Sequence, residues 1–210
     1  MSKPIIAVDC DDTILDENTA IRLYMNATHG YTHTAEDYNV IGEFIGYWEA
    51  IWPVGKEQTA KYYDEFTKSP AKVNLNPLPG ALETLRWLKE RYDLAIVTSR
   101  DNGGDFEGLT HAQLARHYPD VFDERDVHFV SLWSSADDKK VTKAKICQEI
   151  GASYLIDDSF EHCEFAAEAG LQAILFGGYG WNRERELIPG MSRVRNWQEV
   201  RGYFDGLAGR

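Results

Sequence analysis

The chain has 210 residues, of which 43% are hydrophobic and 27% are charged, and its formal net charge is -12 at pH 7. This length suits one domain, or a core domain with a smaller insertion, and the composition is typical of a folded globular protein. The negative charge argues against a nucleic-acid polymer as partner, because neutralising a phosphate backbone requires clustered lysine and arginine. A small phosphorylated compound remains compatible with it if a divalent cation lies in the site.

The cysteines and the N-terminal segment indicate where the protein acts. Cys10, Cys147 and Cys163 are odd in number and lack zinc-ligand spacing, so we predict buried, reduced thiols. A short polar N-terminus leads directly into an apolar run, and no run reaches the about 18 apolar residues of a membrane helix. These features predict a cytoplasmic protein without a membrane partner, and they leave its oligomeric state open.

Short apolar runs alternate with amphipathic helical patterns along most of the chain. The runs have the length of buried strands, and they are 5–8, 94–97, 127–130, 154–156 and 173–176. The helical patterns are 79–91, 110–117, 142–150 and 161–169. This alternation predicts an α/β fold, a Rossmann-like doubly wound parallel sheet whose functional groups gather at the carboxyl ends of the strands.

One segment interrupts the alternation. Residues 16–76 separate the first strand from the second by far more than one helix and have helical patterns of their own. We therefore predict a helical cap domain at 16–76, inserted into a core domain formed by 1–15 and 77–210.

The predicted cap is rich in aromatic residues. They are Tyr38, Phe44, Tyr47, Trp48, Trp52, Tyr62, Tyr63 and Phe66. Such a cluster either lines a substrate pocket, with Trp48 as the candidate contact, or forms the core of a small helical unit. The pattern favours the core interpretation and leaves both open.

Polar residues suited to phosphate chemistry follow the predicted strands. The first strand ends in Asp9-Cys10-Asp11, where the alternation of an extended chain places both aspartates on one side. Neighbouring buried carboxylates are costly unless a cation compensates them, so this pair indicates bound Mg2+. The second strand is followed by Thr98, Ser99 and Arg100, and the fourth by Asp157 and Asp158.

These groups read AVDCDDT, AIVTS, TKAK and YLIDDS, and their order and spacing resemble the motifs of the haloacid dehalogenase superfamily. The resemblance covers essentially the whole predicted core. It implies a phosphatase with a type-one cap, and the size of the insertion, together with VTSR and LIDDS, resembles the 5'-nucleotidase and deoxyribonucleotidase branch.

The resemblance implies a role for each aspartate. Asp9 attacks phosphorus and is transiently phosphorylated, while Asp11 protonates the leaving oxygen and later deprotonates the hydrolytic water. We expect partial burial and the neighbouring carboxylate to raise the pKa of Asp11, which suits this double role. Mg2+ is held by Asp9, the backbone carbonyl of Asp11 and Asp158, with Asp157 supporting the metal shell.

The remaining candidates concern the phosphoryl group. Thr98, with Ser99, is expected to hold phosphoryl oxygens through hydroxyl and backbone N–H groups. Thr13 is either a substrate contact or a turn residue, and Arg100 either reaches the substrate or pairs with a carboxylate of the cap.

A lysine is needed to neutralise charge shared by the nucleophile and the phosphoryl group. The candidates are Lys139, Lys140, Lys143 and Lys145. We favour Lys143, because it follows Thr142 at a predicted helix start and lysines of the family commonly open such a helix. Lys145 is the second choice.

The implied function is Mg2+-dependent hydrolysis of a phosphomonoester, with a nucleoside monophosphate as the leading substrate. A sugar phosphate or another small phosphorylated metabolite is the alternative, because the cap sets specificity. A regulatory protein that binds Mg2+ and phosphate without turnover is the alternative of a different class, and the intact Asp9 and Asp11 argue against it. A dehalogenase is disfavoured, because its chemistry needs neither Asp11 nor the second acidic pair.

Overall fold

The sheet of the protein is parallel throughout the part of the chain that the structure describes. The computed structural model describes residues 3–41, 44–100, 105–130 and 142–208. The strands are β1 (Ile5–Val8), β2 (Asp93–Thr98), β3 (Val127–Phe129), β4 (Ala152–Asp157), β5 (Gln172–Phe176) and β6 (Met191–Val194). Their order is β3-β2-β1-β4-β5-β6, and each neighbouring pair is parallel. The predicted Rossmann-like α/β fold is confirmed.

The sixth strand is the one that the sequence did not predict. Its first and last residues, Met191 and Val194, are buried, whereas Ser192 and Arg193 between them are half-buried and polar. An edge strand with a polar centre lacks the continuous apolar run by which buried parallel strands are recognised.

Helices cover both faces of the sheet. They are α1 (Glu17–His29), α2 (Phe44–Ile51), α3 (Lys56–Thr67), α4 (Pro70–Val73), α5 (Ala81–Lys89), α6 (Asp105–His117), α7 (Lys143–Glu149), α8 (Phe160–Glu168) and α9 (Trp197–Ala208). Helices α5 and α9 join one apolar core with Ile6 and Val8, and α7 and α8 join the other with Ala7. Because successive strand residues point to opposite faces, the two cores lie on the two sides of the sheet.

Side-chain caps fix the helices that begin next to the carboxyl ends of the strands. The hydroxyl of Thr142 accepts a hydrogen bond from the backbone N–H of Lys145 at 3.2 Å, so Thr142 is the N-cap of α7 rather than its first residue. Ser159 caps α8 by accepting from the N–H of His162 at 3.4 Å. These caps set where α7 and α8 start, and therefore where their first side chains lie.

The cysteines are buried and free, as predicted: Cys10, Cys147 and Cys163 make no disulfide. In the described part of the chain, no helix has the length and apolar character that a membrane span requires.

Helices α1 to α4 and the segments that join them are inserted between β1 and α5, and we call this insertion the cap. The two connections to the core run side by side: the N–H of Asp16 donates to the carbonyl of Asn76 at 2.9 Å, and that of Leu78 to Ile14 at 2.8 Å. The cap limits predicted from the sequence, 16 and 76, are the residues of the first of these pairs, and the division into two domains stays a prediction. Movement of the cap relative to the core would have to bend these two short connections.

The aromatic residues of the cap pack mainly on one another. The rings of Trp48 and Trp52 stack with centroids 4.9 Å apart, and the indole N–H of Trp52 donates to the hydroxyl of Tyr38 at 3.0 Å. Trp48 is 4% exposed. The side chain of Phe44, from the same predicted cluster, lies outside the described residues.

The cap docks on residues 177–183, the loop that follows β5 and that we call the strap. A Cβ atom added at Gly180 would overlap the carbonyl oxygen of Val40 and lie 2.8 Å from Cε2 of Tyr47. The ring of Trp181 meets the ring of Tyr47 edge-on at 4.8 Å. Only glycine therefore fits at position 180 while the cap is docked.

We expect Gly180→Ala to loosen this docking. Overpacking a tight contact typically costs about 1–3 kcal/mol, because neighbouring backbone must move. Urea unfolding measures this loss, and Gly178→Ala is the matched control, since an added Cβ there meets no atom within 4 Å. Equal stability of the two variants would contradict the docked arrangement.

Candidate active site

Three charged side chains meet at the carboxyl ends of the central strands. Asp9 follows β1, Asp157 ends β4, and Lys143 is the first residue of α7. The ammonium nitrogen of Lys143 lies 2.6 Å from Oδ1 of Asp9 and 2.7 Å from Oδ2 of Asp157. The lysine side chain is 1% exposed, so these two carboxylates replace the water that it has lost.

The structure distinguishes among the candidate lysines. Lys143 contacts the predicted nucleophile, whereas the half-exposed Lys145 lies 3.8 Å from Glu149 on the outer side of the same helix. Lys139 and Lys140 lie outside the described residues. Of the two described candidates, Lys143 is the one at the carboxylate centre.

Burial and ion pairing with Lys143 shift the pKa values of this centre in opposite directions. Burial, opposed by Lys143 and assisted by Asp157, raises the pKa of Asp9 to about 6. Burial alone would lower the pKa of Lys143, but the charges of Asp157 and Asp9 raise it, so the lysine is protonated. The same ion pair overrides burial at Asp157 and, with His162, lowers the pKa of that carboxyl.

An acidic cluster suited to a metal ion adjoins the lysine. Carboxylate oxygens of Asp9, Asp157 and Asp158 lie within 4.8 Å of one another. Burial, followed by the charges of Asp157 and Asp9, raises the pKa of Asp158 well above its usual range. The charged form of Asp158 therefore lacks sufficient compensation from the described residues, which a bound cation would supply, and an all-oxygen donor set of this kind fits Mg2+.

The two members of the acidic pair differ in what their oxygens contact. Oδ2 of Asp157 accepts from Lys143, and its Oδ1 accepts from the N–H of Ser159 at 2.9 Å and faces Nδ1 of His162 at 3.2 Å. Oδ2 of Asp158 accepts from the indole N–H of Trp181 at 2.8 Å. The oxygens of Asp157 therefore have more hydrogen-bond partners than those of Asp158, and the ranking of Asp158 above Asp157 as a metal ligand stays a prediction.

Asp11 lies between two cations. Its Oδ1 accepts from Arg100 at 2.6 Å and from Lys72 at 2.9 Å, and its Oδ2 accepts from Nε of Arg100 at 2.8 Å. Burial alone would raise its pKa, but the charges of Arg100 and Lys72 lower it well below the usual range. The expectation of a raised pKa for Asp11 is therefore wrong. It took account of the carboxylate neighbour and missed Lys72, which comes from the cap.

The guanidinium of Arg100 links Asp11 to helix α6. It donates to the hydroxyl of Thr110 at 3.1 Å and to Oε1 of Gln113 at 2.7 Å. The amide of Gln113 in turn donates to the backbone carbonyl of Lys72 at 2.7 Å. Arg100 therefore pairs with a carboxylate of the core rather than of the cap, and its neighbours reach the cap backbone.

A buried carboxylate of the cap completes this network. Glu17, at the start of α1, contacts the ammonium group of Lys72 and accepts a hydrogen bond from the hydroxyl of Tyr63 at 2.7 Å. Burial, with the charge of Asp11, raises the pKa of Glu17 to about 7. Lys72 thus joins an acidic group of the cap to one of the core.

The hydroxyl candidates lie close to these charges. Thr98 is 1% exposed and its Oγ1 accepts from the N–H of Arg100 at 3.3 Å. The hydroxyl oxygens of Thr13 and Ser99 are buried and have no hydrogen-bond partner among the described residues. Their contacts with a phosphoryl group, and a substrate contact by Trp48, stay predictions.

Sequence reasoning missed Lys72, Glu17, Trp181 and Asn182. Lys72 and Glu17 lie in the cap and carry no motif, and their partners are far away in the sequence. For Trp181 and Asn182 a signal existed, because they lie in a glycine-rich segment that directly follows the fifth strand.

The aspartate–lysine centre lies at the point where the strand order reverses, and helices inserted after the first strand cover it. This combination defines a class of capped Rossmann-like enzymes. Within it, the chain belongs to the haloacid dehalogenase-like hydrolases, whose family model matches residues 6–175. None of the functionally curated sequences compared with the chain matches it significantly.

Solved structures share the whole fold at low sequence identity. A phosphoglycolate phosphatase of provisional assignment from Lactobacillus delbrueckii has a TM-score of 0.62 at 16% identity, over 97% of this chain and 98% of its own. A magnesium-bound hydrolase of provisional assignment from Bacillus subtilis has a TM-score of 0.60 at 15% identity, over 98% and 100%. A β-phosphoglucomutase of provisional assignment from Bacteroides vulgatus has 0.57 at 14%, over 99% and 90%. At these identities the similarity shows the fold alone, and the nucleotidase branch stays a prediction.

We predict that Lys143→Met destabilises the protein by about 3–5 kcal/mol, because it leaves Asp9 and Asp157 buried without their cation. Urea unfolding in EDTA measures the free energy of unfolding. Lys145→Met is the matched control, since an exposed ion pair contributes about 0–1 kcal/mol. Similar losses for the two variants would contradict the buried pairing.

Proposed function

We propose that this protein is a Mg2+-dependent phosphomonoester hydrolase that forms an aspartyl phosphate on Asp9. The observation that carries the proposal is the contact of Lys143 with both Asp9 and Asp157, beside the oxygen cluster that includes Asp158. A nucleophile, a fixed positive charge and a cation site are the groups that phosphoryl transfer requires.

The reaction divides into two displacements. In the first, a carboxylate oxygen of Asp9 bonds to phosphorus while the bond to the leaving oxygen breaks, and Asp11 gives that oxygen a proton. In the second, water bonds to phosphorus, its proton returns to Asp11, and the bond to Asp9 breaks. Lys143 stays protonated throughout and balances the charge of Asp9. Bound Mg2+, held by Asp9 and Asp158, would neutralise charge on the phosphoryl oxygens.

The pairing of Asp11 opposes both parts of this role. An ionised Asp11 beside Arg100 and Lys72 has no proton to give, and the two cations also lower its affinity for one. To act as an acid it must leave at least one of the two cations. Because Lys72 belongs to the cap, a shift of the cap would change how strongly Asp11 is held.

For the substrate, we propose a small phosphorylated metabolite of the sugar-phosphate kind rather than a nucleoside monophosphate. The buried rings of Trp48 and Trp52 stack on each other, and Tyr47 lies against Trp48 and Trp181, so these faces are already covered. The names of two structural relatives, a phosphoglycolate phosphatase and a β-phosphoglucomutase, also point to small phosphorylated compounds.

Phosphate release from a panel of sugar phosphates, phosphorylated carboxylic acids, nucleoside monophosphates and an aryl phosphate tests the proposal. We expect release with Mg2+, none with EDTA, and faster turnover of the sugar phosphates and phosphorylated acids than of the nucleotides. Asp9→Asn should reduce turnover by several orders of magnitude, because it removes the nucleophile.

Each result of the panel separates two interpretations. Preference for a nucleotide would restore the substrate expected from the sequence. Metal binding without release from any compound would favour the regulatory, non-catalytic alternative. Substantial activity of Asp9→Asn would remove the assignment of the nucleophile.

Trp48→Ala distinguishes a core role from a substrate contact. Because the ring is buried among other rings, we expect the variant to lose about 3–5 kcal/mol of unfolding free energy, while Trp48→Phe keeps the substrate ranking. Unfolding curves and the same panel give both readouts. A changed ranking in Trp48→Phe at unchanged stability would establish the substrate contact instead.

A further inference from the structure

The strap holds the metal carboxylate Asp158 from two directions. The indole N–H of Trp181 donates to Oδ2 of Asp158 at 2.8 Å, and the amide of Asn182 donates to its backbone carbonyl at 2.7 Å. The same amide also donates to the carbonyl of Phe176, at the end of β5, at 2.9 Å. Trp181 is 6% exposed and Asn182 is fully buried, so both donors are shielded from water, while Asp158 is half-buried.

The other side of the strap faces the cap. The guanidinium of Arg183 donates to the backbone carbonyl of Asn39 at 2.7 Å and also contacts the side chain of that residue. The ring of Trp181 is packed edge-on against Tyr47, at an interplanar angle of 87°. One indole therefore touches the cap through its ring and Asp158 through its nitrogen.

A third contact joins the strap to the turn that follows the nucleophile. The hydroxyl of Tyr179 donates to the backbone carbonyl of Asp12 at 2.8 Å, and its ring stacks on Trp181 with centroids 4.7 Å apart. Asp12 has a φ of 53°, a left-handed conformation that is uncommon outside glycine. The strap thus contacts both chain segments that carry the proposed metal ligands.

A purely structural role would require only that the strap fill space between cap and core. The hydrogen bonds to Asp158 do more than that, because they restrict the orientation of a carboxylate that has to bind a cation. Groups that orient a metal ligand without touching the metal commonly change metal affinity by about 10–100-fold when they are removed.

Building on the function proposed above, we propose that Trp181 and Asn182 are positioning residues of the metal site and that the strap couples cap docking to Mg2+ affinity. Docking of the cap holds the strap against Asp158 and favours the orientation of the Asp158 carboxylate that binds the cation. By linkage, bound Mg2+ favours the docked cap by the same factor. Docking of the cap and binding of Mg2+ are then coupled in one equilibrium.

Direct titration of Mg2+ into the full-length protein by calorimetry, without substrate, tests the positioning role. We expect Trp181→Phe, which keeps a ring but loses the N–H, to bind Mg2+ about 10–100-fold more weakly than the wild type. Turnover of this variant should recover at saturating Mg2+, with little change in KM for the substrate. The control is Trp87→Phe on α5, because the ring of Trp87 contacts the guanidinium groups of Arg91 and Arg201.

The coupling is tested on a residue that touches the cap and not the metal carboxylate. Arg183→Ala removes the contact with Asn39, and we expect Mg2+ affinity to fall about 5-fold or more. The matched control is Arg185→Ala in the following segment, because this arginine contacts Glu161 and the ring of Phe160 in the core. Its Mg2+ affinity should equal that of the wild type.

The outcomes separate this inference from the proposed function. If the wild type binds no Mg2+, the proposed function itself fails. If the wild type binds Mg2+ and Trp181→Phe binds it equally well, the positioning role is overturned. If Trp181→Phe binds weakly but Arg183→Ala behaves as the wild type, the coupling to the cap is overturned. Circular dichroism and unfolding curves of each variant establish that it is folded, and the half-buried Arg183 keeps the test usable if Trp181→Phe does not fold.

Discussion

The site depends on one buried ion pair, the ammonium group of Lys143 between Asp9 and Asp157. Two carboxylates at the ends of adjacent strands would repel each other where little water reaches them, and this repulsion would oppose the pairing of β1 and β4 at this end. With the lysine between them, one cation stabilises both. The Thr142 cap, which sets where α7 begins, brings Lys143 to this position.

A second charged cluster links the cap to the core by the same principle. Lys72 of the cap lies between Glu17 and Asp11, and Arg100 of the core lies on the other side of Asp11. Removing one partner of such a buried ion pair costs more free energy of unfolding than the intact pair contributes. These pairs therefore specify the arrangement of cap and core more than they stabilise it. The docked position of the cap is thus tied to the residue proposed to move the proton.

Most of the fold was predictable from the sequence, because buried parallel strands and their helices leave a local signal. The runs at 5–8 and 94–97 and the acidic pair at Asp157 appear in the structure where the pattern placed them. The polar edge strand β6 left no such signal. Lys72 and the pKa of Asp11 were beyond sequence reasoning for a different reason. Arg100 and Lys72 together lower that pKa, and Lys72 comes from a distant segment in which nothing local identifies it as a partner of Asp11.

The position of β1 in the middle of the sheet has a consequence for how the chain folds. Ile5 pairs with Asp93 on one side and with Ala152 on the other, and the whole cap lies between the first two of these strands. The strand that is synthesised first therefore acquires its last neighbour late, and both pairings close long loops. Such non-local pairing slows folding and leaves the apolar strand β1 exposed until both neighbours have paired with it. A cap that collapses early around its own aromatic core shortens the effective loop between β1 and β2.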